Sequence, residues 1–237
     1  MASTSQAANP ASSPLPGLLI LLSATTGLVD AVSVLGLGKV FTANMTGNIV
    51  FLGFALARTP GFAVAPTLVA LLTFFVGALI GGRTGQTFGS RPLRHWLIVA
   101  ATIEAALLWL AAVVSFFFDP TGLGPKWALF AIIGLTAVAM GFRNATIRQL
   151  KVPDLTTTVL TLTITGIAAD SRLAGGSAPN LPRRIAAILA ILFGAAVGAL
   201  MVVHSGLALP LGVAGLLVLG GTIACVRHPA AAVPRTA

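Results

Sequence analysis

Two stretches of the chain gather the small polar residue types that could bind a solute. The first reads Thr42-Ala43-Asn44-Met45-Thr46-Gly47-Asn48 and the second Asp154-Leu155-Thr156-Thr157-Thr158. Thr and Asn are good N-cap residues, and Gly permits close backbone approach. About ten mostly apolar residues follow each cluster, half a membrane thickness as helix at about 1.5 Å per residue. Half-helices begun there would present free N–H groups and partial positive charge at their tips. That suits an anion, a carboxylate or a neutral polar solute. The plainer alternative is that the clusters only cap and pack short helices. In the second stretch Thr161-Leu162-Thr163-Ile164-Thr165 alternates like a strand. Read instead as a helix, it puts Asp154, Thr158, Thr161 and Thr165 on one face.

Two carboxylates lie inside apolar runs. Ser23, Thr26, Asp30 and Ser33 line one helical face. An ionised Asp at the centre of a span costs about 2.5–3.5 kcal/mol on insertion scales, so Asp30 must face a cavity, pair, or carry a proton. Asp30 is the first proton-coupling candidate, against a latch that bonds helix ends. Glu104, roughly 13 Å from the end of its run, is the second, against a buried structural hydrogen bond. Arg143 is expected to snorkel to the membrane surface. Its neighbour Asn144 is within reach of the second polar stretch. His95, His204 and His228 fall at the ends of runs without metal-ligand spacing. No Ser–His or Cys–His arrangement and no phosphate-binding loop is evident. The expectation is therefore transport rather than an enzyme, with no cofactor and no metal. Cys225, alone of its kind, allows no intrachain disulfide.

The elements that must position these residues are membrane spans. Apolar residues make up 57% of the chain and charged ones only 8%, with a mean hydropathy of +1.00. A soluble domain carries roughly 25% charge to cover its surface. This chain cannot, so lipid must contact it. Six runs are long enough to cross: Gly17–Leu37, Ala65–Gly82, His95–Phe118, Lys126–Ile147, Arg184–His204 and Leu207–Val226, the second near the short limit. Residues 1–15 read as a disordered tail without the basic start of a secretory signal. Residues 16–226 read as one transmembrane domain, and 227–237 as a C-terminal tail.

The net charge of +9 would invite nucleic acid in a soluble protein. Here the bases sit at the ends of apolar runs, and no nucleic-acid module is evident. They read as topology signals. If Val40–Arg58 and Val152–Arg172 both crossed, the 14 Lys and Arg would divide evenly between the two sides. If both are re-entrant, Lys39, Arg58 and Lys126 lie outside and the rest inside. The asymmetry selects six spans, two re-entrant segments and cytoplasmic termini.

The halves also echo each other, about 16–118 against 126–226. Each has a span, a polar-opening half-segment, a span with a Gly-xxx-Gly pair (Gly77 and Gly81; Gly194 and Gly198), and a further span. Thr25–Val32 echoes Ile132–Ala139, matching Gly27 to Gly134. Three spans per half make the second half inverted, an arrangement common in secondary transporters. The glycine pairs favour packing within the chain, with a homo-oligomer as the other use.

GLVDAVSVLGLGKVFTANMTGNIVFLGFAL and MGFRNATIRQLKVPDLTTTVLTLTITGIAADS resemble the two signature stretches of the YoaK family. These are small bacterial membrane proteins built on a domain of unknown function. The resemblance covers nearly all of the chain after residue 15 and implies a multi-spanning inner-membrane protein without an assigned substrate. It makes Asp30, Asn44, Thr46, Gly47, Asn48, Asn144, Thr156, Thr157 and Thr158 the motif positions. Arg143 stands where the resemblance implies a Gln. The expectation is an all-α integral membrane protein of two inverted repeats. It would be a secondary transporter or channel-like permease for a small polar solute, anions included, with lipid as its other partner. A non-transporting scaffold is the rival reading.

Overall fold

The computed structural model describes residues 14–88, 91–150, 152 and 160–228. It is helical: α1 (Leu15–Gly36), α2 (Met45–Leu56), α3 (Val64–Thr87), α4 (Leu93–Ser115), α5 (Lys126–Leu150), α6 (Leu160–Ala169), α7 (Leu181–Ser205) and α8 (Ala208–Val226). Among the described residues there is no strand, only an isolated bridge between Asp119 and Gly124. The alternating Thr161–Thr165 segment is helix, because it lies within α6. Among the described residues six helices are long and apolar enough to cross a membrane, and α2 and the described part of α6 are shorter. A spanning helix meets its backbone needs internally. Its hydroxyls do likewise: Ser23, Thr26 and Thr136 each donate to a carbonyl one turn back.

The span expected to be shortest runs to Thr87 instead of Gly82. Its last turn is polar, so hydropathy misses it. Gln149 of α5 donates to the Gly82 carbonyl at 3.1 Å, and Gly85 leaves room for that side chain. Elsewhere local chemistry sets the ends. Gly38 and Lys39 follow α1 with φ of 83° and 59°, left-handed values that stop a helix. Pro182 stands in the first turn of α7, where its missing N–H costs nothing.

Glycines fix how the long helices cross. A methyl at Gly77 or Gly81 of α3 would overlap Val138 or Phe142 of α5, and one at Gly141 would overlap Phe74. On the other side, a methyl at Gly194 or Gly198 of α7 would overlap Ala24 or Leu28 of α1, and one at Gly27 would overlap Ile191. In both pairs the numbers rise together, so α3 lies parallel to α5 and α7 parallel to α1. Small residues at such crossings let backbones meet and gain dispersion contact, which drives helix association in lipid. α1 and α5 form the buried centre, with Leu19, Val29, Ile132 and Met140 sealed. Leu72, Phe75, Leu192 and Phe193 of α3 and α7 face outward.

Other contacts set the remaining directions. Gly36 meets Leu207 while Gly221 meets Leu21, so α1 opposes α8. Leu97 and Ala101 share a void with Thr222 and Val218, and Trp109 bonds the Gly212 carbonyl, so α4 opposes α8. Leu18 lies near Ile147 while Leu37 lies near Leu129, so α5 opposes α1. Hence α1, α4 and α7 run one way and α3, α5 and α8 the other. The segment holding α2 therefore leaves and returns at the same end of the bundle. Lys39 sits against Gly61 and Phe62 there. The segment holding α6 does so at the opposite end.

The glycines of α5 differ in what they meet. Gly134 makes only an ordinary contact with Thr73, whereas Gly141 packs on α3 as Gly27 packs on α7. Gly141 lies about two turns beyond Gly134.

Candidate functional site

A cavity of about 510 Å³ opens where the two parallel pairs face each other. Thr26 and Asp30 of α1 form one wall, a turn apart on the same helical face. Asn44 and the first turn of α2 (Met45, Thr46, Gly47) form another. Asn144 of α5 and Leu160 and Thr161 of α6 close the far side, with Phe74 and Ile191 between. Irregular backbone enters the bundle here, and its polar groups are met by protein. Asp30 Oδ1 accepts the Ala43 N–H at 3.0 Å. The Asn44 side chain caps α2 by accepting from Gly47 N at 3.3 Å.

Of the expected site residues, the cavity gathers Asp30, Asn44, Thr46, Gly47 and Asn144. Asn144 also donates to the Met140 carbonyl one turn back. Asn48 is elsewhere. It is fully buried, its Oδ1 accepts from Phe41 N at 2.9 Å, and its Nδ2 donates to Phe41 O at 2.6 Å. It clamps the turn that leads into α2, and the Phe41 and Phe51 rings stack over the same turn. Ser23 and Ser33, expected to share the stripe of Asp30, are buried against carbonyls of their own helix. Asp154, Thr156, Thr157 and Thr158 lie outside the described residues.

Glu104 does not reach the cavity. It is buried behind Thr26 in an ion pair with Arg143. Arg143 Nε donates to Glu104 Oε1 at 2.7 Å, and Nη2 donates to the same oxygen. Nη1 donates to the Leu22 carbonyl and to Thr26 Oγ1, each at 2.9 Å. Arg143 is 1% exposed. The expected snorkelling does not occur, because a carboxylate and a carbonyl at the same depth satisfy the guanidinium inside the bundle. A second cavity of about 480 Å³ lies at the end where α1 stops and α5 starts, with Lys39 and Lys126 in its wall.

Sequence reasoning missed the apolar walls. Phe74 and Ile191 each stand one turn before the first glycine of a Gly-xxx-Gly pair, equivalent places in α3 and α7. The signal was present in that spacing, but apolar residues in apolar helices do not announce a site.

Comparison with protein-family models matches residues 18–224 to one described as "Protein of unknown function (DUF1275)". Among curated proteins, the UPF0700 transmembrane protein YoaK of Bacillus subtilis (strain 168) is 34% identical over 159 residues. That match covers 65% of this chain and 65% of the relative, a little under two thirds of its length. No solved structure matches. The chain belongs to the DUF1275 family, and its six long apolar helices together with its similarity to the transmembrane protein YoaK mark it as a multi-pass membrane protein.

Proposed function

We propose that this DUF1275 protein is a secondary transporter or channel-like permease for a small polar solute, with its site in the cavity between α2 and α6. The observation that carries the reading is that cavity: Asp30, Asn44, Thr46, Asn144 and Thr161 converge from four separate helices on one space large enough for a solute. Two short helices that each leave and return at one end of the bundle act as re-entrant segments in a bilayer. The first turn of α2 and the described start of α6 line the same cavity. The matched packing of α1 with α7 and of α3 with α5 supports two inverted repeats. Rocking of one glycine-locked pair against the other then alternates access, with Arg143 bridging α5 to α1. Asp30 carries the coupling proton. By the excess of Lys and Arg at one end, the termini face the cytoplasm of a bacterial inner membrane.

A deletion strain grown on a panel of solutes tests this. Wild-type protein restores the altered tolerance, and Asp30→Asn or Thr46→Leu does not, although both accumulate as folded protein. Full restoration by both variants would overturn the permease reading and leave a scaffold, for which the clamp role of Asn48 already speaks.

A further inference from the structure

The charge of the cavity narrows the class of solute. Asp30 is the only charged side chain among the described residues that line it. Phe74 of α3, Ile191 of α7, Asn144 of α5 and the lining residues of α2 and α6 bring none. The nearest charges lie behind Thr26: Arg143 of α5 and Glu104 of α4. Arg143 places two of its donor nitrogens on Glu104 and the third on Leu22 O and Thr26. Those two charges pair with each other behind the wall, and Asp30 is the charged side chain on the wall itself.

Taken alone, the tip of a half-helix favours an anion, as expected from sequence. At α2 the Gly47 N–H is taken by the Asn44 side chain, and Asp30 accepts the Ala43 N–H two residues before the helix begins. A helix end also carries only about half a unit charge, matched by an opposite one at its far end about 18 Å away for α2. A carboxylate is a full charge with no such partner, so it dominates the field.

We infer that the occupant of the cavity carries one positive charge on a small hydrocarbon body, an organic ammonium ion. This rests on the cavity being the transport site. The ammonium pairs with Asp30 and donates to the Thr46 and Thr161 hydroxyls, and the body lies on Met45, Val50, Phe74 and Ile191. A proton and an ammonium cannot both occupy one carboxylate. Each displaces the other, so exchange of a proton for the ammonium is the transport mode.

The test reads the sign of the cavity directly. In a full-length Cys225→Ser background, Thr46→Cys and Thr161→Cys each put one thiol on the wall. Labelling by 2-aminoethyl methanethiosulfonate, a cation, is compared with that by 2-sulfonatoethyl methanethiosulfonate, an anion. Both rates are normalised to a free thiol. The cation is expected to react about ten-fold faster at both positions, with Asp30→Asn bringing the ratio near one. Equal or faster labelling by the anion would overturn the ammonium class and leave the permease standing. Thiols that neither reagent reaches, in protein that labels fully once denatured, would overturn both. A second measurement does not need Asp30→Asn to fold. Propylammonium chloride should slow labelling at Thr46→Cys while sodium propionate does not, and equal protection by the two salts would sink the inference.

Discussion

Arg143 on α5 and Glu104 on α4 form an ion pair sealed inside the bundle, and the same guanidinium reaches across to the Leu22 carbonyl on α1. Three helices thus meet at one charge. Removing one partner strands the other in a medium that cannot solvate it, at a cost of about 3–5 kcal/mol. Replacing both with apolar residues of similar size avoids that penalty. Glu104→Ala or Arg143→Ala should therefore lose most folded protein, seen as a lost monodisperse peak on size-exclusion in detergent. The double variant Glu104→Leu with Arg143→Met should recover much of it. Equal loss in the double and single variants would mean that the pair does not hold these helices.

The glycine crossings make a sharper distinction. Gly27, Gly77, Gly141 and Gly194 face backbone carbonyls of a neighbouring helix, which cannot move aside as a side-chain tip can. Gly220 in α8 faces open space. Gly77→Ala or Gly194→Ala should each destabilise by about 1–3 kcal/mol, as overpacking does. Gly220→Ala should be neutral or mildly stabilising, since alanine is the better helix former. Melting in detergent ranks the three, and a Gly194→Ala variant as stable as Gly220→Ala would contradict the crossing of α7 on α1.

Rare residue types made part of this legible in sequence. An Asp within an apolar span stands out, and a Gly-xxx-Gly pair names the face where backbones meet. Both readings depend on one helix at a time. The Glu104–Arg143 pair spans 39 positions and two helices, and no stripe around either residue points to the other. Asn48 was misplaced for a related reason. Its type and position in a polar cluster are the same whether it binds solute or its own turn, and only the fold shows both its amide groups on Phe41. The proposed repeat is read from the order of its elements. Gly134 and Gly141 both lie in a small-residue stretch, and only close contact with α3 tells them apart.

That clamp gives a way to tell a structural residue from one that meets solute. Asn48→Ala leaves the Phe41 N–H and carbonyl without partners in a buried turn, at about 1–3 kcal/mol. It should lower the melting temperature and the transport signal together. Thr46→Val is nearly isosteric and removes only a hydroxyl on the cavity wall. It should leave melting within about 0.5 kcal/mol of wild type while still impairing transport. If Asn48→Ala melts like wild type, the clamp is not what holds the entry to α2.

Orientation follows from the alternation of the long helices. Arg58 precedes α3 at the end where α1 stops, and Arg172 precedes α7 at the end where α1 starts. Had both short helices crossed, α3 would run parallel to α1, and the two arginines would share a side. The packing has α3 along α5 and against α1 instead. In a Cys225→Ser background, Arg58→Cys and Arg172→Cys are therefore expected to react with an impermeant maleimide from opposite sides of sealed vesicles. Arg58→Cys should be on the periplasmic side, because the other end holds most of the Lys and Arg. Both residues are exposed, so either thiol is within reach of the reagent. Labelling of both from one side would mean that a segment holding a short helix passes through the bilayer, and would overturn this orientation.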